Sequence, residues 1–192
     1  MDNPYKRKKD PERVKQLILD VAMQLLAEKG KVGFSLQSVA DAVGVTKGGL
    51  LHHFPNKQIL MQATVKEVIG QLDGAIDDYI AQDFEPYGRF TRAYIYFTLQ
   101  QDAKSIGRLF AALSMAMLTD QAFNEQWILW LNGRLEQHAS TDDSMDLKLL
   151  RLAADGLWLA IYTGVDEQAN VQQLMQEMLL RTYPNKTVLS QC

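Results

Sequence analysis

"VADAVGVTKGGLLHHFPNK" (residues 39–57) sets a short apolar run, a turn and a second short run side by side. Leu36, Val39, Ala40 and Val43 recur at helical spacing, with Ser35 as a capping residue before them and Gly44 as a stop after them. Thr46 is placed to cap the next helix at once. Val45 and Leu50 flank that cap at the spacing of a hydrophobic staple. Leu50 and Phe54 lie one turn apart and should point inward, and Pro55 stops the helix. Two short helices joined through a glycine turn make a helix-turn-helix.

The flanking sequence extends this pattern. Asp10-Pro11 is a helix start, followed by Val14, Leu17, Ile18, Val21, Ala22, Leu25 and Leu26 on one face, with Gly30 ending the helix. A longer helix is expected from about Asn56 to Ala81, its buried stripe being Ile59, Leu60, Ala63, Val68, Ile69, Leu72 and Ile76. After Pro86, helices are expected near 87–102, 104–118, 121–138, 145–164 and 168–181, parted by "TDQ" (119–121), "STDDS" (140–144) and "GVDEQ" (164–168). No stretch alternates with the period of a strand. The expected fold is all-α: a three-helix head over residues 1–61 with a basic N-terminal tail, and a helical body over 62–192, about nine helices in all.

Composition narrows the function. The chain has 192 residues, 47% apolar, and one cysteine, Cys192, so no disulfide can form within it. No apolar run approaches the ~20 residues of a membrane span. The start, "MDNPYKRKKDPERVK", is basic but lacks the apolar core of a signal peptide, and the expectation is a soluble, cytoplasmic protein. Net charge is −3, but residues 1–61 hold ten Lys/Arg and six Asp/Glu, a head of +4 on a body of −7. Such a split suits a head that meets a polyanion.

The second short helix has the surface for that meeting. With Leu50 and Phe54 inward, Gly48, Gly49 and His52 face away, flanked by Lys47, Leu51 and His53. A helical glycine costs about 1 kcal/mol relative to alanine, an expense a packed core does not need. A helix that must approach a duplex closely can use it, because no side chain holds the backbone off. Lys47 can reach guanine edges or phosphate, and the helix start at Thr46 and Lys47 offers amides to a phosphate oxygen. Lys57 is placed for a second backbone contact. His52 and His53 can donate hydrogen bonds.

"SLQSVADAVGVTKGGLLHHFPNKQIL" (35–60) closely resembles the helix-turn-helix head of the tetracycline-repressor (TetR) family of bacterial regulators. The resemblance covers roughly residues 12–61. Its carriers are Val39-Ala40, Ala42, Gly44-Val45, Leu50, Phe54, Lys57 and the long helix before them. "LAADGLWLAIYTG" (152–164) also looks like that family's penultimate helix. The resemblance implies a homodimer on operator DNA that responds to a small molecule in its body, with repression as the default. It places Lys47, Gly48 and Gly49 where family members touch bases, His53 and Lys57 where they touch phosphate, and Ser35 and Gln37 at the start of the helix crossing the backbone. Leu51 departs from the usual tyrosine and cannot hold a phosphate. Either His52 or His53 takes that role, or Leu51 meets a thymine methyl.

Phe90, Tyr94, Phe97, Phe110, Met117, Trp127, Trp130, Trp158 and Tyr162 are candidate lining for an effector pocket between the helices near 87–102, 104–118 and 121–138, with Met115 and Phe123 in the same clusters. Arg92, Gln100, Arg108 and Asn132 are candidate polar anchors. Leu149, Leu152, Ala153, Gly156, Leu157 and Ala160, with Leu174, Met178 and Leu179 on the last helix, form the candidate dimer stripe. Gly70 and Gly74 are candidate points of bending in the long helix. No cofactor or metal is expected. His52, His53 and His138 are the three histidines; adjacent ones diverge on a helix, and no di-iron or phosphate-loop pattern accompanies them. Asp155, a carboxylate on an apolar helix, is the feature an enzyme reading would have to explain. The rival readings are a helical adaptor with a structural helix-turn-helix and a small all-α enzyme.

Overall fold

A computed structural model describes residues 10–100, 114, 120–164 and 170–184, without the side chains of 31 and 32. The basic segment 6–9, the expected helix near 104–118 apart from Ser114, with its Arg108, Phe110, Met115 and Met117, and Cys192 lie outside the described residues. Among the described residues the structure is all-helical. The helices are α1 (Pro11–Gly33), α2 (Leu36–Val43), α3 (Lys47–His53), α4 (Lys57–Ala81), α5 (Arg89–Leu99), α6 (Gln121–Gln137), α7 (Ala139–Asp142), α8 (Met145–Thr163) and α9 (Val171–Arg181). None of them is long and apolar enough to cross a membrane. The chain divides into two compact units, Met1–Glu67 and Val68–Cys192.

In the first unit, Asp10 caps α1 by accepting from the Arg13 amide, and Pro11 occupies the first turn. Gly30 breaks the helical run, at φ 61° and ψ −170°. α1 packs on α2, and α2 on α3. Their core is Ile18, Ala22, Leu26, Phe34, Val39, Ala40, Leu50 and Phe54. Two expected core residues are instead exposed, Leu17 at 47% and Ile59 at 41%. The buried line of α4 steps by four, through Leu60, Thr64, Val68, Leu72 and Ile76. Ile59 stands about 100° round the helix from that line. Thr64 is carried into the core because its hydroxyl donates to the Leu60 carbonyl at 2.8 Å.

In the second unit α5 packs against α7, α8 and α9. It starts two residues later than expected because Gly88, before it, has φ 74° and ψ 8°, and it ends at Leu99, where Gln100 turns extended. A Cβ there would sit 2.5 Å from the Thr182 carbonyl oxygen, so a glycine is required by both conformation and packing. The expected 140–144 break contains a helical turn, α7, drawn inward by Asp142. That carboxylate accepts from the Thr91 amide (2.8 Å) and hydroxyl (2.7 Å) and from the Thr141 hydroxyl (2.8 Å). Ser144 and Asn170 cap α8 and α9, and Gly164 ends α8 at φ 69°.

Candidate functional site

The turn between α2 and α3 is built by local hydrogen bonding. Ser35 and Ser38 cap α2 reciprocally, the Ser38 amide donating to Ser35 Oγ and the Ser35 amide to Ser38 Oγ, both at 3.0 Å. Gly44 ends α2 at φ 78°, and its amide and that of Val45 both return to the Ala40 carbonyl at 3.0 Å. Thr46 then caps α3, its hydroxyl accepting from the Gly49 amide at 3.0 Å. Asn56 caps α4 in the same way, accepting from the Ile59 amide at 2.9 Å. A turn with both ends tied this tightly sets the direction of α3.

α3 is anchored by one face. Leu50 is fully buried, and Phe54, just after the helix, is 2% exposed. Lys47, Gly48, Gly49 and His52 are exposed, while Leu51 and His53 are partly covered. A Cβ on Gly48 would meet no atom within 4 Å, whereas one on Gly49 would lie 3.2 Å from the Thr46 capping oxygen. The His52 and His53 rings meet edge to face at 5.7 Å. No group of His, Cys, Asp and Glu suited to a metal occurs among the described residues. Thr46 and Lys57 are exposed at the starts of α3 and α4, and Ser35 and Gln37 at the start of α2. Gln37 donates to Asp41 at 2.7 Å. All the candidates except the partly covered Leu51 and His53 therefore form an exposed set of donors, cations and bare backbone around α3, which suits a phosphate-lined groove.

In the body the aromatic candidates fall into two groups. Phe97, Trp127 and Trp130 pack on a cluster of Leu72, Ile76, Phe90, Ala93 and Tyr94. Trp158 packs on a second cluster of Ile95, Leu99 and Ala154, and stacks on the half-exposed Tyr162. Phe90 is fully buried, its ring face stacked on His138 at 5.1 Å, and so belongs to the core. Trp130 donates to Asp73 at 2.7 Å, and Arg134 to Asp77 at 2.6 Å, tying α6 to α4. The Tyr94 hydroxyl donates to Asp155 at 2.8 Å. Burial raises the Asp155 carboxyl above the usual range, against the lowering effect of that hydrogen bond and of Arg151. The suspicious carboxylate is thus part of an internal network.

Arg92, a candidate anchor, is 1% exposed and structural. Its guanidinium donates to the Asp83 carboxylate and to the carbonyls of Glu85, Tyr87 and Thr182. Gln100 donates to the Tyr96 hydroxyl, and Asn132 is exposed. On α8, Leu149, Leu152, Ala153 and Gly156 are exposed, and Leu157 and Ala160 partly so. On α9 Leu174 is exposed and Met178 partly so. Met145, 69% exposed, extends the α8 stripe by one four-residue step towards the helix start, and Leu159, 45% exposed, falls within it three residues after Gly156.

Fold and surface together define a helix-turn-helix protein with a separate helical body. The family model for bacterial regulatory proteins of the tetR family matches residues 18–64, and that for the tetracyclin repressor-like C-terminal domain matches residues 88–183. The transcriptional repressor KstR2 of Rhodococcus jostii is 23% identical over 158 residues, 75% of this chain and 76% of that protein. A Saccharomonospora viridis regulator solved with choline superposes with a TM-score of 0.71 at 13% identity, over 87% of this chain and 94% of that one. The multidrug-binding protein EbrR, solved with malachite green, superposes with a TM-score of 0.67 at 21% identity, over 88% and 98%. The chain belongs to the TetR family of transcriptional regulators.

Proposed function

We propose that this chain is an effector-controlled repressor that acts in the cytoplasm and binds palindromic operator DNA as a homodimer. The observation that carries the reading is α3: capped, held by Leu50 and Phe54, and bare at Gly48 beside exposed Lys47. Lys47, Gly48 and Gly49 read base edges. Thr46, His52, His53 and Lys57, with Ser35 and Gln37, hold phosphates, and Leu51 meets an apolar base edge. One seven-residue helix reads few bases, so two copies at fixed spacing are needed to recognise a site. The exposed apolar stripe of α8, with Leu174 and Met178 of α9, supports a two-fold interface between copies.

The effector is a small, largely apolar molecule held among Tyr94, Phe97, Trp127, Trp130 and Trp158, with Tyr162 at the margin. It acts only through its difference in affinity for the DNA-bound and free arrangements of the dimer. The relatives solved with choline and malachite green support small-molecule control.

The test is protection of a dyad-symmetric sequence beside the protein's own gene, titrated with salt. The reading expects one protected site whose affinity falls steeply as salt rises, because phosphate contacts release counterions. An adaptor or enzyme would protect no duplex at any salt concentration.

A further inference from the structure

A cleft of about 410 Å³ opens where α4 ends, lined by Tyr79, Gln82, Asp83, Phe84, Glu85 and Tyr183. Its size is that of a small-ligand site. Its Tyr79 ring meets Phe97 edge to face at 6.1 Å, but none of its lining residues is among those proposed to hold the effector. Three aromatic rings and two carboxylates share its wall. Phe84 is fully exposed, the most exposed large apolar side chain among the described residues.

The wall is held in place from beneath. Arg92 donates to Asp83 Oδ2, to the Glu85 and Tyr87 carbonyls, and to the carbonyl and hydroxyl oxygens of Thr182. Its guanidinium also lies 4.3 Å from the centre of the Tyr183 ring. The loop braces itself as well: the Glu85 amide donates to Asp83 Oδ1 and the Tyr87 amide to Glu85 Oε1, both at 3.0 Å. One buried arginine therefore ties the α4–α5 loop to the end of α9 and fixes the backbone that carries Phe84 and Glu85.

Charge and ring chemistry select the ligand class. Arg92 neutralises Asp83. Glu85 forms no ion pair among the described residues, its side chain accepting only from an amide. Burial and the nearby Asp83 raise the Tyr79 hydroxyl above its usual value, so the phenol stays neutral. An anion would be repelled by Glu85, and a neutral apolar molecule would desolvate that carboxylate without return. A compact cation gains from both the carboxylate and the negative ring faces.

We propose that this cleft is a binding site for a small organic cation, with Glu85 as its counter-ion and Phe84 and Tyr183 as its aromatic walls. The probe is benzamidinium, compared by calorimetry with uncharged benzamide, on the full-length protein and on the double variant Phe84→Ala/Glu85→Gln. Both substitutions spare the fold, since Phe84 is exposed and glutamine keeps an oxygen to accept from Tyr87. Benzamidinium should bind at least about tenfold more tightly than benzamide, and the double variant should weaken it by about three- to thirtyfold. Equal binding of benzamide, unchanged affinity in the double variant, or no binding at millimolar concentration would each overturn the assignment.

Discussion

Gly48 and Gly49 are neighbours on α3 and lack side chains for different reasons. Gly49 donates its amide to the Thr46 cap, and a Cβ there would crowd the capping oxygen at 3.2 Å. Gly48 has open space around it, so nothing inside the chain requires glycine. Gly48→Ala should therefore raise the melting temperature through a helix-propensity gain of up to about 1 kcal/mol, while lowering operator affinity if the backbone approaches the duplex. Unchanged affinity would show that DNA does not come that close. The two lysines should also separate. Lys47→Ala should cost about 1–3 kcal/mol on the preferred sequence and relax base preference, if its contact is bidentate. Lys57→Ala should weaken every duplex alike and reduce the salt slope by about one. Competition against scrambled DNA at several salt concentrations measures both. These exposed residues could be read from the sequence because caps, turns and glycines act locally. Arg92 could not, because its acceptors on the Asp83–Tyr87 loop and Thr182 come together only on folding.

At the scale of elements, polar groups rather than caps join the body. Arg92→Leu would leave the Asp83 carboxylate and three carbonyls without their donor. The expected loss is about 3–5 kcal/mol, read from urea unfolding. His138, between α6 and α7, is 5% exposed and stacked on Phe90, and its buried Nε2 has no hydrogen-bond partner among the described residues. Burial first, then Arg134 and Arg89, lower its pKa below the ordinary 6.5, against Asp142 and Asp77. The folded state therefore disfavours the imidazolium. The stabilising contribution is complete above pH 6.5 and is lost as pH falls through that value towards the folded one. His138→Phe removes this titration, so unfolding midpoints taken from pH 8 to 5 should fall less in the variant than in the parent. The helical spacing of α6 and α8 was plain in the residues. The inward turn at α7 was not, because "STDDS" has loop composition and is held by distant partners, Thr91 and Arg151 on other helices and the Gly88 amide.

For the whole molecule, the informative surface is the one left uncovered. Leu149, Leu152 and Leu159 are 56%, 66% and 45% exposed on one helix, together with Met145 at 69%. Apolar side chains repeating on one face of a helix mark an interaction surface. Leu152→Glu should leave the melting of a single chain almost unchanged. It should convert the protein to a monomer by sedimentation velocity and reduce operator affinity, since two half-sites can no longer be held together. A dimer that persists would move the interface elsewhere.

The amino-acid order alone determined the helices of the head, their caps and the family resemblance, because each depends on residues within about a turn of one another. It also determined which α8 positions share a face. Only the tertiary structure decided which aromatic residues are core. Phe90 and Trp127 have the same helical spacing signal, yet Phe90 is enclosed by His138 and Arg134 while Trp127 lies at the edge of the cluster. The tertiary structure also decided that Arg92 and Asp142 go inside. A charged side chain is buried only where distant segments supply its partners, and that meeting leaves no trace in local sequence.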